Sequence, residues 1–249
     1  MSGHSKWSTI RRKKEKLDAQ RGRVFSRLIK EITVAARQSG GDPESNNRLR
    51  TAIASAKAVN MPQQNIDRAI KRGTGELPGV SYEEVTYEGY GPGGVAVLVE
   101  TLTDNKNRTT SDLRHIFSKH GGSLGSVGCV AWMFDHKSVV TIEGNDYDEE
   151  MLLSVAMEAG ADDVRVDNGT FEIVTDPANF EALKNELKKN NIAFTSAATT
   201  RLPQTTIKLD GKKAEQVLRL MELIEDHDDV QHVYSNFDVP DELIQAMVE

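Results

Sequence analysis

Lys6, Arg11, Arg12, Lys13, Lys14, Arg21 and Arg23 crowd cationic side chains into the start of the chain, with Trp7 and Phe25 interleaved among them. Ammonium and guanidinium groups at that density neutralise phosphates, and an indole ring offers a face on which an unpaired base stacks. A second polar stretch, Asn105-Lys106-Asn107-Arg108, opens a helix with amides and cations, a combination suited to phosphate oxygens. With Phe25 set aside, these twelve residues are the candidate nucleic-acid contacts. Each set has a plainer reading beside it: Trp7 anchoring the arm on its own bundle, and the second stretch serving as a helix cap.

Other chemistries are poorly represented. The histidines at 4, 115, 120, 136, 227 and 232 form neither H-x-x-x-H nor H-E-x-x-H, so no metal site is expected. Acidic residues gather at 146–150, at Asp162-Asp163 and at 225–229, mostly near helix ends, where solvation and the helix dipole account for them. Gly89, Gly91 and Gly94 match G-x-G-x-x-G, but a β-branched strand follows where a phosphate-binding loop requires a helix. No Walker motif or nucleophile elbow is present, and neither a catalytic residue nor a cofactor is expected. An enzyme with a carboxylate site between domains stays open as a competing reading, as does a scaffold whose acidic face holds a basic partner.

The net charge of -7 conceals a split. Residues 1–75 hold 17 Lys and Arg against 6 Asp and Glu, about +11, which leaves 14 against 32, about -18, for residues 76–249. Such asymmetry is the footprint of a polyanion-binding segment carried on an acidic body. The single cysteine, Cys129, rules out an internal disulfide and a cysteine-based zinc cluster. No run approaches the roughly 18 apolar residues of a membrane span. The basic N-terminus has no apolar block behind it, so a cytoplasmic protein without membrane contact or small-molecule substrate is expected.

The elements that must position these residues follow from periodicity. A weak apolar edge through Trp7, Ile10, Lys14 and Leu17 predicts a short helix over 5–19. A wide stripe of Val24, Phe25, Leu28, Ile29, Ile32, Ala35 and Ala36 predicts a second over 22–38, stopped by Gly40-Gly41. Asp42-Pro43 reads as the start of a third, with Leu49, Ile53, Ala56 and Val59 inward, and a fourth runs from Pro62 to Gly73. The glycines and proline of 73–79 read as a linker.

From residue 81 the period changes to that of strands. A hairpin over 82–99, a helix over 106–119 and a strand over 129–135 are predicted first. Next come strand 138–143, helix 147–159, strand 163–167, an Asn168-Gly169 turn, strand 170–175, helix 178–190 and strand 192–199, which is a ferredoxin-like β-α-β-β-α-β order. Strand 204–209, helix 211–225 and strand 230–235 then supply a second half for the β-α-β of 94–135, and helix 240–248 closes the chain. The expected architecture is α+β and multidomain: a basic helical bundle at 1–78, a discontinuous ferredoxin-like domain at 79–136 and 201–249, and a second inserted at 137–200.

Several short motifs in order carry a resemblance: Gly3-His4-Ser5-Lys6-Trp7, Gly40-Gly41-Asp42-Pro43, Asn60-Met61-Pro62, Thr103-Asp104-Asn105, Gly121-Gly122-Ser123-Leu124-Gly125, Trp132-Met133-Phe134 and Asp228-Asp229-Val230-Gln231. Over nearly its whole length the chain resembles the YebC family. The resemblance implies three domains and a regulator of gene expression, whether a DNA-binding transcriptional regulator, a translational activator or a factor that relieves ribosomes stalled at proline-rich stretches. The expected partner is therefore nucleic acid, as ribosomal RNA, the ribosome or DNA, and a monomer is expected.

Overall fold

The computed structural model describes Trp7 and residues 18–144, 147–167 and 169–248, of which 18–21, 167, 241 and 246–248 are described for the backbone alone. The helix expected over 5–19 lies almost wholly outside the described residues. Among these, no helix is long and apolar enough to cross a membrane.

Helix α1 (Asp18–Ser39) is the hub of the N-terminal bundle. Its Ile32, Ala35 and Ala36 pack on Leu49, Ala52 and Ala56 of α2 (Asn47–Ala58) and on Ile66 and Ala69 of α3 (Gln63–Thr74). Asn46, not Asp42, is the N-cap of α2: its Oδ1 accepts from Leu49 N at 3.0 Å, and its Nδ2 donates to Ala35 O and Gly40 O. Asp42 instead closes the preceding turn by accepting from Glu44 N. A buried asparagine with three partners fixes the α1–α2 corner better than an exposed aspartate. Gly73 is likewise no linker residue, because a Cβ there would lie 2.5 Å from Thr33 O. It lets α3 cross α1 closely, and the helix ends at Gly75, which takes φ +85°.

The body holds two four-stranded sheets. In the first, β1 (Glu83–Tyr90) and β2 (Ala96–Thr103) form the expected hairpin, flanked by β3 (Ser123–Leu124) and β9 (Val230–Ser235), in the order β3-β1-β2-β9. Strand β2 reads as a nearly unbroken apolar run because both its faces are covered. Val95, Val97 and Val99 meet Leu113 and Phe117 of α4 (Lys106–Lys119) and Val217, Met221 and Ile224 of α7 (Gly211–Glu225). On the other face, Ala96 and Leu98 meet Val130 and Phe134.

The second sheet runs β5-β6-β4-β7, from β4 (Phe134–Glu143), β5 (Ala161–Asp167), β6 (Thr170–Thr175) and β7 (Ser196–Pro203), covered by α5 (Glu149–Glu158) and α6 (Phe180–Lys189). Its chain path is strand, helix, strand, strand, helix, strand. The start of α5 is capped by Asp148, whose Oδ1 accepts from Glu150 N.

The first sheet departs from the expected one. Residues 129–133 form no strand, because the buried carboxylate of Glu88 accepts from the amides of Gly128, Val130 and Ala131 and holds the segment as a loop and a single 3-10 turn. Burial alone raises the carboxyl pKa of Glu88, but these three donors outweigh it and the group is held below its ordinary range. The expected strand 204–209 shrinks to β8 (Ile207–Lys208), paired in parallel with β10 (Phe237–Asp238) in a separate ribbon. The sheet is therefore completed by β1, which was expected only as a hairpin partner, and its order is not the ferredoxin-like one. The expected divisions at 136/137 and 200/201 fall inside β4 and β7, which pair continuously from Phe134↔Pro203 to Thr141↔Ser196. Helix α8 (Asp241–Val248) ends the chain with Ile244 buried in the first sheet's core.

Candidate nucleic-acid interface

Helix α1 carries Arg23, Arg27 and Lys30 at four- and three-residue steps, so the three side chains leave it along one stripe. That stripe faces the turn from α7 into β9, where the chain runs Glu225-Asp226-His227-Asp228-Asp229. Arg23 pairs with Asp226 at 2.9 Å, and Arg27 donates to the carbonyl of Glu225. Lys30 donates to the Asp228 carbonyl at 2.9 Å and to Asp229 Oδ1 at 2.7 Å.

Asp229 is the centre of this contact. Its side chain is 4% exposed. Oδ2 accepts from Arg108 Nη2 at 2.8 Å, from Thr109 Oγ1 at 2.7 Å and from Thr103 Oγ1 at 3.1 Å. Burial alone would favour the neutral acid, but the donors, Lys30 and Arg108 foremost, outweigh it and hold the carboxyl well below the usual carboxylate range. Arg108 also reaches Asp104, at 2.8 Å. The ring of Tyr82 lies 5.7 Å from Lys30 Nζ, and burial raises its phenol pKa. A cleft of about 700 Å³ opens over this network, between the bundle and the body.

The expected contacts are thus dispersed. Lys6 and Arg11 to Lys14 lie outside the described residues, as does the side chain of Arg21. Trp7 is 2% exposed and belongs to the core of the first sheet, with its Nε1 donating to Glu225 Oε1 at 3.1 Å. No base can reach a ring seated there, and the anchorage is on the α+β body, not on the bundle. Arg23 and Arg108 are held by carboxylates. Asn105 is the N-cap of α4, its Oδ1 accepting from Arg108 N at 3.1 Å, while Lys106 and Asn107 are exposed.

Sequence reasoning missed Arg27, Lys30 and Asp229 as partners. The signal available was the 23-27-30 spacing, which sets a cationic stripe beside the apolar one. Further cations face solvent on the bundle: Arg68, Lys71 and Arg72 on α3 and Arg50 and Lys57 on α2. Among the described residues, no carboxylate forms an ion pair with any of these five.

Family models match the chain in two blocks, the TACO1/YebC protein N-terminal domain over residues 5–76 and the TACO1/YebC second and third domain over residues 82–237. The chain belongs to the TACO1/YebC family. Relatives include a probable transcriptional regulatory protein of Desulforapulum autotrophicum, 59% identical over 99% of this chain and 100% of that one. A protein of Geobacter sulfurreducens with the same description is 57% identical over the full length of both. Among solved structures, a conserved hypothetical protein of Aquifex aeolicus is 48% identical and aligns with a TM-score of 0.79, covering 90% of this chain and 93% of its own. The cleft in this chain is therefore lined from both matched blocks, by Arg23 and Lys30 of the first and by Tyr82, Arg108 and Asp229 of the second.

Proposed function

We propose that this TACO1/YebC protein is a non-enzymatic regulator of gene expression that binds RNA on the ribosome through its N-terminal helices. The relatives described as probable transcriptional regulators support the broad role, and the finer one rests on charge. The observation that carries it is the set of cations on α2 and α3, Arg50, Lys57, Arg68, Lys71 and Arg72, which are exposed without carboxylate partners among the described residues. Structured RNA needs mainly cations and shape. The acidic body would be repelled along a duplex, but is tolerated where only the bundle touches the polyanion. A non-enzymatic role agrees with the state of Asp229, an anion locked between cations and not a group that exchanges protons near neutrality.

The alternative is DNA binding by a transcriptional regulator. It is favoured by α3, which exposes Gln63, Gln64 and Arg68, side-chain types that read base edges. Replacing Arg68, Lys71 and Arg72 with Glu separates binding from folding. The urea midpoint should fall only modestly, because Lys71 and Arg72 stand in the last turn of α3 and favour its dipole, while RNA affinity collapses. On wild-type protein the log–log salt slope should be steeper by about 2, the share of three phosphate contacts on a single strand. An unchanged slope would show that this face does not bind.

A further inference from the structure

The groups that meet α1 are carboxylate and carbonyl oxygens, acceptors of the kind that a phosphate backbone also offers. Along one stripe, the Asp226 carboxylate sits on Arg23, the Glu225 carbonyl on Arg27, and the Asp228 carbonyl and Asp229 carboxylate on Lys30, with Arg108 completing the set from the body. From Arg23 to Lys30 the stripe spans about 10 Å of helix axis. We propose that Arg23, Arg27, Lys30 and Arg108 form a second binding face for RNA phosphates, and that the acidic corner 225–229 occupies it until RNA displaces the corner and the bundle opens away from the body. This rests on the RNA-binding reading above.

Three features of the molecule support it. The contact is polar and salt-bridged, so a polyanion competes for each of its cations directly. Arg23 and Asp226 are each 36% exposed, so the pair at the rim of the cleft is open to exchange. The connection between bundle and body, residues 75–80, is exposed throughout and carries Gly75 at φ +85°, Pro78 and Gly79, which gives the chain a place to turn. Trp7 in the body core favours the closed arrangement, so opening demands a ligand that binds the open form better.

The test uses the full chain with Cys129→Ser and spin labels at Ser55→Cys on the bundle and Gln216→Cys on the body, both exposed positions. Electron–electron resonance distances should lengthen when a 20-nucleotide polyuridine is added. Asp226→Asn with Asp228→Asn should tighten binding of that oligonucleotide about threefold to fivefold, by removing the carboxylate on Arg23 and a second negative charge from the corner. Glu149→Gln with Glu150→Gln removes the same charge from α5 and should tighten it less. If polyuridine binds while the distance stays fixed and the two double variants behave alike, the masked face is refuted and the RNA reading stands. If polyuridine does not bind at all, the masked face is refuted, while the RNA reading is decided by co-sedimentation with ribosomes. Opening by polyglutamate as readily as by polyuridine would reassign the face to an acidic protein partner and overturn the choice of RNA.

Discussion

Replacing Asp229 with Ala is expected to lower the stability of the native protein by about 3–5 kcal/mol, the cost of removing one partner from a buried ion pair. The ammonium of Lys30 has a side chain only 13% exposed and would be left with the Asp228 carbonyl and the ring of Tyr82. Arg108 is nearly half exposed and still has Asp104, so its share of the loss is small. The hydroxyls of Thr103 and Thr109 retain each other at 2.8 Å. Urea denaturation at pH 7 measures the loss.

Acid gives the same contribution a sign. The folded-state pKa of Asp229 is depressed, so its stabilisation is present above the unfolded value of about 3.9 and is lost as pH falls from there towards the folded value. Wild type should therefore lose stability steeply below about pH 4, and Asp229→Asn should follow a flatter curve over that window. Parallel curves would mean that the carboxylate is not held as the geometry implies.

Trp7→Ala is the second large effect. The indole is among the largest fully buried side chains and joins Val217, Leu218, Met221 and Ile224 in the core of the body. Truncation should cost about 3–5 kcal/mol, from lost transfer free energy and the cavity left behind. Trp7→Phe should recover most of the apolar part while losing the bond to Glu225. Because Trp7 is seated in the body, limited proteolysis in the alanine variant should cut the N-terminal segment first. A variant as stable and as protease-resistant as wild type would show that Trp7 does not hold the arm.

These residues also show where the sequence was legible and where it stopped being so. Periodicity placed α7 at its observed bounds, because one strong apolar stripe and a following acidic turn leave few alternatives. It placed the β1–β2 hairpin and the strand–helix path of the second sheet for the same reason. It failed where a distant group decides local form. Residues 129–133 have the composition of a strand, yet Glu88, some 40 positions earlier, captures their amides. Asp42-Pro43 has the local chemistry of a helix start, but Asn46 can reach back to Ala35 and wins the cap.

The same limit governed the interface. Charge counts located a basic segment and an acidic body, and that polarity is real in the fold. What they lacked was that the two attract each other. Trp7, Arg23 and Arg108 have the residue types of nucleic-acid contacts, and the chain spends all three on its own acidic corner. Spacing along α1 carried part of this information, since cations at 23, 27 and 30 share a stripe. Their partners at 225–229 lie nearly two hundred residues away, and only the fold brings them together.

The most direct test of RNA binding on the ribosome is sedimentation of the wild-type protein with translating ribosomes, set beside its binding to random duplex DNA at the same salt. The expected result is co-sedimentation with ribosomes that is lost as salt rises, with weak binding to the duplex. Tight binding to duplex DNA without co-sedimentation would contradict it.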